Sequence, residues 1–186
     1  VAIGRDALQN EDSGSRNVAI GVQSLFTANF NGSAYNVAVG YQAGSSVVEG
    51  VQNTMVGGLA GKDLVSGGSN VAVGYNAASS LNTGELNTII GAFAGDAITS
   101  GIRNTALGYG ALSTSIDGDN NTAIGYLAME DYEGGDGEGN NVAIGSKSQL
   151  NAASGEFNTS VGSLSMGAGV TTGDNNVAIG YKAGED

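Results

Sequence analysis

The side chains best suited to chemistry in this chain are carboxylates. Asp131, Glu133, Asp136 and Glu138 stand among glycines in the stretch 131–140. Hard divalent cations take several oxygen ligands from a constrained loop, so these four are the candidate calcium ligands. Glycine-rich calcium coils need an Asp where this chain has Gly139, and they need consecutive copies. A solvated loop tip is the competing explanation, as it is for the smaller pair Asp117 and Asp119. No other metal or cofactor is expected. Serines are plentiful, but there is no His to activate one. Carboxylate pairs occur only in Gly-rich loops, where a desolvated acid is not expected. The Gly-rich stretches do not open a helix carrying Lys-Ser/Thr, so they are not phosphate loops. The chain is therefore not expected to be an enzyme, and no residue is assigned a catalytic role.

Composition narrows the partners. The formal net charge is −12, with 6 basic and 18 acidic residues. Without a basic cluster there is no footprint for a phosphate backbone, so nucleic acid is not an expected partner; anionic membrane surfaces are disfavoured for the same reason. No apolar run approaches the ~20 residues of a membrane span, so insertion of this segment is not expected. Cys is absent, which fits a protein outside the reducing cell and many inside it. Gly is 33 of 186 residues and Pro is absent, a combination that excludes collagen.

What positions any site is a repeat. A short phrase recurs eleven times, as in Asn17-Val-Ala-Ile-Gly21, Asn70-Val-Ala-Val-Gly74 and Asn121-Thr-Ala-Ile-Gly125. Its closing glycines are Gly4, Gly21, Gly40, Gly57, Gly74, Gly91, Gly108, Gly125, Gly145, Gly162 and Gly180. The steps between them are 17 residues, stretching to 18, 19 or 20 in three places. A fixed period of this size marks a solenoid. The aliphatic residue held in one place in each copy argues against disorder.

Three residues before the closing Gly stands Val or Thr in each copy; one before it stands Ile, Val or Leu. Between them is mostly Ala, with Met55, Ile89 and Ser160 as exceptions. Period-two patterning with β-branched enrichment predicts one short strand per coil. Val/Thr and Ile/Val share one face, Ala and Gly the other. Both faces are expected to be buried, one inside the coil and the other against a neighbouring subunit or the far wall of the same coil, with the choice left open. Three residues after the Gly the side chain is always Ala or Ser, a second tight contact. Tyr41, Tyr75, Tyr109, Tyr126 and Tyr181 follow the Gly directly, where a ring can pack while its hydroxyl stays wet.

Asn leads ten copies: Asn17, Asn36, Asn53, Asn70, Asn87, Asn104, Asn121, Asn141, Asn158 and Asn176. Asn tolerates left-handed backbone, which suits a tight corner. Stacked in register, its amides are expected to form a ladder. A Gly upstream marks the other corner, as in Ser66-Gly-Gly-Ser-Asn70. The longer steps hold Phe26 to Tyr35 and Asp131 to Asn140. Insertions confined to one place are loops on one side of a solenoid, often the binding side. At a coil spacing of roughly 4.8 Å, ten steps make a rod of about 48 Å. Residues 1–186 form one repeat domain. The chain opens at Val1 in mid-phrase and closes at Asp186 soon after a fresh one begins, so it is expected to be a segment of a longer fibrous chain.

Asn-x-Val/Ala-x-Gly phrases, each with a small residue three on, resemble the head repeats of YadA-like trimeric autotransporter adhesins. They are similar as well to repeats of some bacteriophage tail fibres, with their Asn-Thr-Ala-Ile-Gly-Tyr copies. The resemblance spans essentially the whole chain. It implies a left-handed parallel β-roll of about eleven coils, three rolls packed about a common axis, outside the cell on a virion or bacterial surface. The small-residue face and the constant Ala/Ser position would then serve inter-chain packing. It also implies attachment to a host-cell glycan or protein receptor. The 17-residue step is longer than adhesin heads use, and with the Tyr after the Gly it favours the phage fibre over the adhesin head. Two further alternatives are a calcium-dependent solenoid and an ice-binding one; Thr and Val alternate in no regular order, as interchangeable packing predicts.

Overall fold

The computed structural model describes residues 1–132, 139–152, 154–167 and 172–184. It is all-β, with no helix among the described residues. Eleven short strands follow the eleven phrases: β1 Ala2–Ile3, β2 Val18–Ile20, β3 Val37–Val39, β4 Thr54–Val56, β5 Val71–Val73, β6 Thr88–Ile90, β7 Thr105–Leu107, β8 Thr122–Ile124, β9 Val142–Ile144, β10 Thr159–Val161 and β11 Val177–Ile179. They form one sheet in chain order, each strand parallel to the next. The chain is a β-solenoid of ten turns. Pairing is phrase on phrase: Ala38 lies beside Met55, and Met55 beside Ala72. The 19- and 20-residue steps keep that register, pairing Val18 with Val37 and Thr122 with Val142, because the extra residues are taken up outside the strands.

Three-residue strands alone would make a weak ladder. The coil extends it through its corner by alternating direction. The Gln42 N–H donates back to the Val22 carbonyl (2.9 Å), and the Gly44 N–H donates forward to the Ala60 carbonyl (3.0 Å). This alternation requires left-handed backbone two and four residues after the closing Gly, as at Leu59 (φ 63°), Phe93 (φ 57°) and Leu112 (φ 56°). A third such residue precedes the Asn, as at Arg16, Leu86 and Arg103. Among the described residues, 27 non-Gly residues have positive φ. Each is disfavoured by about 1–2 kcal/mol in isolation, so the stacked neighbours must hold them there.

The sheet's two faces are now assigned. The middle residue of each strand from β2 to β11 points inward and is buried, whereas its two neighbours are half-buried or exposed. The Ala row therefore lines the coil interior, and the Val/Thr and Ile/Val rows face out. The constant Ala/Ser position is inside too, with Ser24, Ala43, Ala60, Ala94 and Ser165 fully buried. The expectation that these small residues serve inter-chain packing is corrected: they let the two walls of one narrow coil meet.

Larger side chains fill the interior in a compensating pattern. Where the strand centre is Ala19, Ala106 or Ala123, the position four after the Gly carries buried Leu25, Leu112 or Met129. Where the centre is Met55, that position is Gly44 in the coil before and Gly61 in its own. A Cβ added at Gly61 would lie 2.9 Å from Met55 Cγ, and one at Gly44 would lie 2.7 Å from Met55 Sδ. Truncating Met55→Ala should cost about 2–5 kcal/mol through the cavity it leaves. Gly61→Leu alone should cost about 1–3 kcal/mol through overpacking. Together they reproduce the Ala–Leu arrangement of the coils that hold Ala19 with Leu25 and Ala106 with Leu112. Urea melts of the single and double variants should therefore show the double at least 1 kcal/mol more stable than additivity gives, within the roughly 0.5–3 kcal/mol range for contacting residues. Strict additivity would refute the pairing.

Candidate functional site

The repeat's Asn residues form a ladder inside the coil. Asn53 N–H donates to Asn36 Oδ1 (2.8 Å), Asn70 N–H to Asn53 Oδ1 (2.9 Å), and so on through Asn176 N–H to Asn158 Oδ1 (2.9 Å). In most coils the amide Nδ2 then reaches across to the upstream-type glycine: Asn53 to the Gly67 carbonyl (2.9 Å), Asn104 to that of Gly118 (2.7 Å). Nine of the ten Asn, from Asn17 to Asn158, are buried. The left-handed corner residue is the one before the Asn, because the Asn itself starts the strand and turns its side chain inward. Asn17 and Asn121 are the two whose Nδ2 finds no acceptor among the described residues. They open the two longest coils. These repeated positions tie one coil to the next.

Of the calcium candidates, Glu133, Asp136 and Glu138 lie outside the described residues. Asp131 is exposed, and its N–H donates to the Leu150 carbonyl (2.9 Å). Asp119 accepts the Ile102 N–H (2.8 Å), a structural role across one coil. Among the described residues no three acidic side chains converge into a metal site.

The insertion at 26–35 is folded down on the coil. Ala28, Phe30 and Ala34 are buried. Glu11 accepts the N–H groups of Gly14 and Phe30 and so holds the loop from the preceding coil. Tyr35 stays exposed and meets Arg16, whose guanidinium sits 5.2 Å over its ring. A hollow of 340 Å³ lies beside Phe30, Asn31 and Val51.

The residue after each closing Gly carries a half-exposed Tyr in β-coils three, five, seven, eight and eleven: Tyr41, Tyr75, Tyr109, Tyr126 and Tyr181. In the middle of the rod these rings join Phe93 in a continuous aromatic row. Tyr75 and Phe93 meet edge to face at 5.5 Å, Phe93 and Tyr109 at 5.8 Å, and Tyr109 stacks on Tyr126 at 5.7 Å. Beside this row runs an open groove of 480 Å³. Asn76, Phe93, Tyr109 and Leu127 line it together with Ser79, Asp96, Ser113, Thr114 and Glu130. The volume is within the roughly 300–1,000 Å³ of small-ligand sites. Sequence reading identified the Tyr row but not the groove, because its walls come from four coils at the same repeat position.

Both groove carboxylates are raised above the usual range. For Asp96 burial is the main cause, opposed by hydrogen bonds from its own backbone and from Asn76. For Glu130 burial leads, followed by the neighbouring Asp131 charge, with Lys147 pulling the other way. An acid raised on folding destabilises the fold once ionised. That penalty is absent below the unfolded pKa, grows as pH rises to the folded value, and is complete above it. Asp96→Asn should therefore melt at or above the parent temperature at pH 7 and show no such gain at pH 3. A gain confined to pH 3 would reverse the assigned sign.

No protein-family model, curated protein sequence or solved structure matches this chain.

Proposed function

We propose that the chain is the shaft of a homotrimeric surface-attachment fibre, with a phage tail fibre favoured over a bacterial trimeric adhesin head. The observation that carries this is the outward sheet face. Its Val/Thr and Ile/Val/Leu rows run unbroken over all eleven strands, with Ile20, Leu107 and Ile144 exposed by 36%, 44% and 37%. A wholly aliphatic row in water marks an interaction surface. A partner for it must match the coil spacing turn after turn, and another copy of the same chain does so by construction. The aliphatic row favours packing against protein over ordering ice. The left-handed coil and three-fold packing come from the family resemblance. So does the location on a virion or cell surface, where the receptor is a host glycan or protein.

Three chains would carry −36, three times the single-chain charge. Such a rod repels its neighbours and stays soluble, and its approach to an acidic cell surface should depend on divalent cations and salt. The test is retention of the labelled protein on intact bacterial cells and on immobilised fibrillar collagen. Retention on cells supports the phage fibre and retention on collagen the adhesin head; retention on neither contradicts attachment.

A further inference from the structure

We propose that the groove beside the aromatic row binds a neutral glycan chain laid along the rod, with sugar rings against Phe93 and Tyr109 and hydroxyls hydrogen-bonded to Asp96 and Glu130. This names a ligand class and a place, and it rests on the attachment reading only for its biological setting.

The groove's chemistry decides among occupants. Asp96 and Glu130 occupy the same repeat position two coils apart, roughly 10 Å at the coil spacing. A single cation binds its oxygens at about 2.3–2.6 Å, so the pair does not converge on one ion. Two carboxylates repel phosphates and other polyanions. A peptide strand would need free backbone groups, and the coil backbone here is engaged with its neighbours: Phe93 N–H to the Tyr75 carbonyl, Gly95 N–H to that of Ala111, Gly110 N–H to that of Ala92. What remains is a polyhydroxylated ligand with apolar ring faces. Phe93 and Tyr109 offer rigid ring surface, and Tyr109 is 52% exposed. Asp96 and Glu130 accept strong, charge-assisted hydrogen bonds from hydroxyls. On the coil between them the Ser113 hydroxyl can donate and accept, whereas Thr114, whose hydroxyl donates to the Glu130 carbonyl (2.6 Å), is left to accept. The groove also has the direction of a linear chain: the coil spacing of roughly 4.8 Å is close to the length of one sugar ring in an extended glycan. The folding penalty carried by both acids fits side chains kept for binding.

The test titrates the whole chain with maltohexaose, cellohexaose and chitohexaose, using ligand-observed saturation-transfer NMR, with a heparin-derived hexasaccharide as the anionic control. At least one neutral hexasaccharide should bind saturably, and the anionic one at least tenfold more weakly. Tyr109→Ala combined with Glu130→Gln should weaken binding at least tenfold. Tyr109→Phe keeps the ring and should bind within threefold of the parent, as should Tyr41→Ala, which alters the same Tyr row outside the groove. No saturable binding to any neutral probe, tighter binding of the anionic one, or equal affinity of the double variant overturns the proposal. Melting curves of each variant separate lost binding from lost fold. Because the titration uses no cells, a chain that binds oligosaccharide but is not retained on cells or collagen contradicts the attachment reading alone. A double variant that is still retained but no longer binds oligosaccharide leaves the groove standing and places that attachment elsewhere.

Discussion

Gly125→Ala should destabilise the protein by about 3–5 kcal/mol, enough to open the middle of the stack. Gly125 has φ 140°, and a Cβ built on it would lie 2.5 Å from the carbonyl oxygen of Gly145 in the next coil. Two costs combine. An L-residue at that backbone conformation is strained by about 1–3 kcal/mol, and overpacking adds about 1–3 kcal/mol. The neighbouring atom is backbone held in the ladder, since the Gly145 N–H donates to the Ile124 carbonyl (2.7 Å), so it cannot swing away. Because solenoid stability is a sum over coil interfaces, the damage should pass to the flanking coils. Gly58→Ala is the control: it has ordinary φ, its nearest contact is Tyr75 Cδ2 at 3.5 Å, and it should change stability by at most about 0.5 kcal/mol. Urea denaturation of both variants checks this. Equal, small effects would mean that the coils are not stacked this closely.

Asn104 is the second position of large effect. It is 1% exposed, its Nδ2 donates to the Gly118 carbonyl (2.7 Å), and its Oδ1 accepts the Asn121 N–H (2.9 Å). Asn104→Ala strips both partners inside the coil. At about 1–3 kcal/mol for each of the two orphaned buried groups, the loss should be about 2–6 kcal/mol. Asn104→Asp is the sharper test. It keeps the acceptor, removes the donor, and at neutral pH aims a buried carboxylate at the Gly118 carbonyl. Burial raises such an acid's pKa above its unfolded value near ~3.9. Below that value the protonated hydroxyl can donate to Gly118, and the deficit relative to the parent is smallest. The deficit grows as pH rises from the unfolded to the folded pKa and is constant above. Melting temperatures measured against the parent should show the Asp variant much closer to it at pH 3 than at pH 7. An identical deficit at both would remove the amide donor from the account.

The strand was legible because Val-Ala-Ile-Gly alternates and recurs, and the period was legible because the insertions do not disturb it. Which face lies inside was not, since the row of Val37 and Val39 and the row of Ala38 are each plausible linings. The burial of the whole Ala row, Met55 and Ile89 included, makes the interior plain. The pairing of these two with Gly61 and Gly95 is the one sign of it in the sequence, because a large residue opposite Gly signals a shared volume. The left-handed corners carry only a partial signal: Gly61, Gly95 and Asn120 favour positive φ, but Leu59, Phe93 and Arg103 do not and are placed there by stacking. Asn was read as the corner residue on its own tolerance, yet its side chain serves as a bridge between coils. The groove was hidden for a related reason. Asn76, Phe93, Gly110 and Leu127 share one repeat position, and only their differences shape a cavity.

The central claim is that the aliphatic outer face is where copies of this chain meet. Light scattering coupled to size-exclusion chromatography of the purified protein tests it most directly. The account predicts a species of three times 18.3 kDa, reduced to a folded single chain when Val73→Lys and Ile124→Lys charge the outward rows. A stable, folded monomer of the unmodified chain would contradict it.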